Sequence, residues 1–118
     1  MSKTPARDQA LRALYAADLS GDDPSTEGLS ARAERYVSGT WASLADLDAA
    51  ISAAATGWRL ERMPAVDRNI IRLALFELQS GQAPIGVVVS EAVNLAKRFS
   101  TERSGAFVNG VLSRLIEE

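Results

Sequence analysis

Apolar residues recur every three or four positions along nearly the whole chain, the period of a helix that buries one face. Thr4-Pro5 reads as a helix start, with Thr4 as N-cap and Pro5 as the first helical residue. Ala10, Leu11, Leu14, Tyr15 and Leu19 line one face, and Ser20-Gly21-Asp22-Asp23-Pro24 stops the helix. Leu29, Ala33, Val37, Trp41 and Leu44 form the next face, and Leu47, Ile51, Ala54 and Trp58 a further one. They predict helices over 27–44, opened by Ser25 or Thr26 with Glu27, and over 46–56, closed by Gly57. Gly39 lies inside the first of these and costs about 1 kcal/mol relative to Ala. A second helix is therefore expected to pack close against it.

A short turn near 58–62 leads to Met63-Pro64, and a helix starts at Pro64 or Ala65. Val66, Ile70, Ile71, Leu73, Ala74, Leu75, Phe76 and Leu78 make it apolar nearly all round, as expected of a central buried element. After the loop Ser80–Pro84, the run Val87-Val88-Val89 could be read as a strand. Ile85, Val88, Ala92, Leu95, Ala96 and Phe99 instead repeat at helical spacing, and a lone strand would have no partner. A helix over 85–99 is expected, then a loop Ser100–Gly105 and a last helix carrying Phe107, Val108, Val111, Leu112, Leu115 and Ile116. The fold class is all-α, a compact bundle of six or seven helices without a sheet.

The 118 residues make one domain, 1–118, able to bury a core without staples. The chain contains no Cys and no His. This excludes disulfides, zinc held by Cys or His, thiol chemistry and every His-based triad. No metal or cofactor is implied. There is no apolar run long enough to span a membrane and no apolar segment of a secretory signal at the start, so a cytoplasmic protein is expected. The net charge of −2 is not that of a general nucleic-acid binder, so an RNA site would have to be a local basic patch.

Little else in the residues suggests catalysis. Asp67 could pair with Glu77 or Glu91 as acid and base, but they lie ten or more positions apart, and ion pairing with Arg68 or Arg72 is the favoured reading. Arg72, on the most apolar helix, is expected to pair with Glu77 or Glu91. Asp67 opens that helix, where the dipole favours an acid that can stay exposed. The glycines fit no phosphate loop, and the expectation is a non-enzymatic protein with no catalytic residue. Lys3, Arg7 and Arg12 make the N-terminus mildly basic, ordinarily a solvated surface. Phe99 and Phe107 flank the 100–105 loop beside Arg98 and Arg103. Such aromatics are ordinarily core; the alternative is a stacking platform for unpaired bases. Asn109-Gly110 would allow a close helix contact.

Four blocks together are specific enough to resemble a known family. They are Ala13-Leu14-Tyr15; Asp67-Arg68 with Ile71-Arg72-Leu73-Ala74 and Phe76-Glu77-Leu78; Pro84 with Glu91-Ala92-Val93 and Leu95-Ala96-Lys97-Arg98-Phe99; and Phe107-Val108-Asn109-Gly110-Val111-Leu112. The chain resembles the NusB family of bacterial transcription antitermination factors, most specifically in its second half. The resemblance implies two packed helical sub-bundles. It implies binding to box A-type RNA of ribosomal RNA leaders together with the small-subunit ribosomal protein NusE, and through other Nus factors an indirect link to RNA polymerase. It places Lys3, Arg7, Phe99, Arg103 and Phe107 at the RNA, and Tyr15 and Asp67 on the face that meets the ribosomal protein. Lys3 and Arg7 stand where family members carry an arginine-rich motif, Arg103 where they carry an acid, and Ala106 where they carry a base. A homodimer is compatible with this reading. Two alternatives stay open. One is the related RNA-binding domain that precedes the catalytic domain of rRNA cytosine methyltransferases, although after Leu115-Ile116-Glu117-Glu118 no room is left for a methyl-donor fold. The other is an interaction protein that has lost RNA binding.

Overall fold

The computed structural model describes residues 5–55 and 57–117. Among the described residues six α-helices follow one another: α1 (Ala6–Ser20), α2 (Ala31–Ala42), α3 (Leu44–Ala54), α4 (Ala65–Ser80), α5 (Ile85–Phe99) and α6 (Glu102–Glu117), with a 3₁₀ turn, Leu60–Arg62, before α4. Among the described residues there is no strand; Val87, Val88 and Val89 are helical. Gly21 and Gly81 close α1 and α4 with left-handed backbones at φ +82° and +68°, each N–H returning to the carbonyl four residues earlier.

The bundle has two sub-bundles that share α4. On one side Ala10 and Leu14 of α1, Tyr36 and Val37 of α2 and Leu73 of α4 form a small core. On the other, Ile70, Ile71 and Ala74 of α4 join Leu47 and Ile51 of α3, Val88 and Leu95 of α5, and Val108 and Leu112 of α6 in a larger one. Two faces of α4 are thus apolar because each faces a different core. Full burial of each large aliphatic side chain contributes about 1.5–3 kcal/mol. Phe76 packs against both cores, and its ring fills the space where a Cβ on Gly39 would stand. That is the close approach of α2 and α4 that Gly39 signals in the sequence.

Several boundaries and faces differ from the sequence expectation. α2 starts at Ala31, with Ser30 as N-cap accepting from the Ala33 N–H at 3.1 Å, not near residue 27. Pro5 is the cap position of α1, and Thr4 lies outside the described residues. The loop between α5 and α6 is Ser100-Thr101, not 100–105, because the Thr101 hydroxyl accepts from the Ser104 N–H and starts the helix early. Tyr15 and Leu19 continue the Leu11 track past the edge of the core, and Leu19 is 61% exposed. Trp58 and Ile116 are exposed as well. Among the described residues no atom lies near a Cβ built on Gly110; the close contact to α5 is made at Gly105, against the Lys97 stem.

Charge pairing ties the sub-bundles together. Arg72 is buried and paired, but with Asp48 of α3, through bonds of 2.7 and 2.8 Å, and with Asp18 of α1 at 3.4 Å. Glu77 is five positions on, about 140° round the helix, and cannot reach it. Asp18 also takes Arg68 at 2.7 Å and Asn69 at 2.9 Å. Burial pushes the Asp18 carboxyl up, but the hydrogen bonds from Arg68 and Asn69 and the nearby guanidiniums hold it below the usual aspartate value. Neither Arg68 nor Arg72 is therefore available to Asp67.

Candidate nucleic-acid and partner interface

Of the expected RNA residues at the N-terminus, Lys3 lies outside the described residues. Arg7 is not an exposed cation. Its guanidinium is clamped on the buried Glu77 by bonds of 2.7 and 2.8 Å, with Glu91 at 3.6 Å, and its side chain is 12% exposed. The helical rise from Pro5 turns Arg7 inward between α4 and α5, where a buried carboxylate needs a partner. The neighbouring Asp8 holds Arg98 in a two-pronged pair at 2.8 and 3.0 Å. Those bonds from Arg98 keep the Asp8 carboxyl below its usual value, against the opposing effect of burial.

The remaining residues cluster around the start of α4. Phe99, half-buried at the end of α5, has the Arg12 and Arg98 guanidiniums 5.1 and 5.3 Å from its ring centroid. With Tyr15, 37% exposed, it borders a cleft of about 300 Å³ floored by Leu11 and Val66. One residue further along α4, Asp67 lines a second cavity of about 460 Å³ with Arg103, Phe107 and Trp58. Phe107 and Trp58 meet edge to face, centroids 5.1 Å apart at 61°.

Asp67 is not exposed, as the helix-start reading expected, but buried. α6 covers it, and the Ser104 hydroxyl donates to its Oδ2 at 3.0 Å while Oδ1 has no hydrogen-bond partner among the described residues. An exchange of Asp67 for Arg would therefore disturb packing as well as any surface contact. The structure thus brings Asp67 together with Arg103 and Phe107, and Tyr15 together with Phe99, and leaves Arg7 out of both groups. Trp58 and Ser104 carried no sequence signal for this site: Trp58 fits a helical core period, and Ser104 stands in an apparent loop. Arg12 was legible as a basic residue, but its contact with Phe99 depends on how α1 crosses α5.

Among the described residues, no group of three or more acidic side chains is placed to hold a metal ion, and no helix is long and apolar enough to cross a membrane. The NusB family model matches residues 4–117. A transcription antitermination protein NusB of Anaeromyxobacter dehalogenans is 40% identical over 126 residues, covering 96% of this chain and 89% of the relative. One from Acidothermus cellulolyticus is 45% identical over 123 residues, covering 95% and 85%. The chain is similar to the solved NusB of T. maritima, with TM-score 0.84 and 35% identity over 99% of this chain and 94% of that one. It is also similar to a chain in a crystal structure of the antitermination factors NusB and NusE in complex with double-stranded RNA, with TM-score 0.85 and 28% identity over 95% and 93% of the two chains.

Proposed function

The chain belongs to the NusB family of transcription antitermination proteins, and from that premise we propose that it binds box A-type RNA of ribosomal RNA leaders jointly with the ribosomal protein NusE. In this reading it is one RNA-binding domain over 1–118 that joins the elongating polymerase through other Nus factors. The observation that carries the proposal is the fold match, over 95% of this chain, to a protein solved together with NusE and RNA. The surface around the start of α4 has the chemistry for it: exposed Arg12 and Arg103, half-buried Phe99 and Phe107, and the cleft beside Tyr15. RNA stacks on aromatic rings and pairs its phosphates with guanidiniums.

Few cations face outward here, and the whole chain carries a net charge of −2, so RNA affinity of the protein alone is weak and salt-sensitive. A partner that adds its own RNA contacts raises affinity by linkage. Anisotropy titrations of a fluorescent box A-type RNA, with and without purified NusE, test this. Weak binding alone and much tighter binding with NusE is the expected result. Equal affinities would remove the joint site, and absence of RNA binding in both would leave an interaction protein.

A further inference from the structure

At the far end of α4 from Asp67, α4 and α6 finish beside the first turns of α5 and an inner position of α3. An open groove of about 350 Å³ lies between them, with walls that include Ala50, Leu78, Gln79, Ile85, Leu115 and Ile116. Among the described residues that line it none is charged, and Gln79 alone is polar. Ile85 is 56% exposed and Ile116 39%. A β-branched residue on the solvent side of a helix lowers helix propensity and leaves apolar area in water. Packing within the chain therefore does not account for either. The adjoining segment is equally bare, with no charged residue between Glu77 and Glu91 in a chain that is 24% charged. Charge returns only at the rim. Asp46 lies one turn before Ala50 on the same face of α3, and Glu117 follows Ile116. Both are exposed, and neither has an ion pair among the described residues. Glu117 stands in the last turn of α6, where the helix dipole disfavours an acid, so helix stability does not explain it.

We propose that this groove seats a short amphipathic helix of a partner protein, its apolar side chains between Ile85 and Ile116 and its lysines or arginines against Asp46 and Glu117. Apolar anchors one turn apart are how a helix fills such a groove. Charge complementarity decides among the possible occupants. Nucleic acid is repelled, because the walls offer its phosphates no cation and the rim adds two acids. A second copy of this chain is disfavoured on two grounds. In a two-fold contact the patch meets itself, which brings acids against acids. The groove is also lined by seven residues, where a stable dimer engages about 20–30 a side. A basic, apolar helix meets neither objection. From Asp67 to Gln79 the rise along α4 is about 18 Å. The groove thus stays open while the surface around the start of α4 is occupied, and its partner can be held at the same time.

The test titrates two synthetic helical peptides of about 15 residues, long enough to hold helix, into the full isotope-labelled chain. Both carry a leucine stripe at helical spacing; one has lysines on its flanks and the other glutamates. Backbone amide shifts report where each binds. The lysine peptide is expected to give saturable shifts at Gln79, Ile85 and Ile116 and none around Phe99 and Arg103. The glutamate peptide should bind at least about tenfold more weakly, the scale of two exposed ion pairs changed to repulsion. Ile85→Ser should weaken the lysine peptide several-fold, and the pair Asp46→Lys, Glu117→Lys should reverse the preference between the peptides. Equal affinity of the two peptides overturns the proposal, as does the absence of saturable shifts at the groove. Shifts of the lysine peptide confined to the start of α4 overturn it too. Shifts at the groove that grow with protein concentration in the absence of peptide assign it to a second copy and overturn the partner helix. The two peptides on the unmodified chain decide the matter even where a variant does not fold.

Discussion

Two arginines that look alike in the sequence have opposite roles in the structure. Arg7 is locked on the buried Glu77, and the hydrogen bonds its guanidinium donates to that carboxylate raise its pKa above the ordinary arginine value despite burial. Arg103 is exposed and unpaired among the described residues. Arg7→Ala leaves Glu77 buried without its main partner, and urea unfolding should show a loss of about 3 kcal/mol. Arg103→Ala should leave unfolding unchanged within about 0.5 kcal/mol. Its effect is expected in RNA titrations at several salt concentrations, where the slope of log affinity against log salt should shallow by about 0.7 if Arg103 meets a phosphate. An Arg7 variant judged by RNA affinity alone would confuse lost fold with lost contact.

The crossing of α2 and α4 depends on a missing side chain. In an exposed helix Gly→Ala stabilises by about 1 kcal/mol. At Gly39 the Cβ would fall within the Phe76 ring, and that ring is held by packing against both cores, so it cannot swing aside freely. Gly39→Ala is therefore expected to destabilise by about 1–3 kcal/mol, the scale of overpacking. Phe76→Leu removes the obstructing ring edge. Combined with Gly39→Ala it should cost less than the sum of the two single changes, and a double-mutant cycle by chemical denaturation checks this. α5 shows the opposite economy: a valine run that suits strands becomes helix because only helical spacing places Val88, Ala92, Leu95 and Ala96 together in the core.

Across the whole molecule, α1 is fastened at both ends by carboxylates. Asp8 ties it to α5 through Arg98, and Asp18 ties it to α4 through Arg68, Asn69 and Arg72. Both acids lie below their usual value in the folded chain. The unfolded chain therefore binds their protons more tightly, so the stability they contribute is complete above the unfolded value of about 4 and is lost as pH falls through the lower folded values. Urea unfolding between neutral and acid pH should show this decline, and Asp18→Asn should make it shallower. At neutral pH, Asp18→Ala is expected to cost about 3 kcal/mol, because Arg68 loses its carboxylate partner and Arg72 one of two.

The sequence by itself determined the helices, the central place of α4 and the need for a close contact at Gly39. These follow from apolar period, caps and breakers, which act over a few residues. It also carried the family blocks, which lie mostly in α4, α5 and α6. What it could not determine is which charge meets which. Arg72 was expected to find Glu77 or Glu91 and instead finds Asp48 and Asp18, while Glu77 takes Arg7. A helix face predicts that a buried charge needs a partner, but the partner comes from whichever helix crosses at that height. The same reason separates Arg7 from the surface, buries Asp67 under Ser104, and sets Trp58 beside Phe107. Local period fixes which face of each helix is apolar; the crossing of distant helices fixes how far that face is covered, what it meets and which polar residues are buried with it.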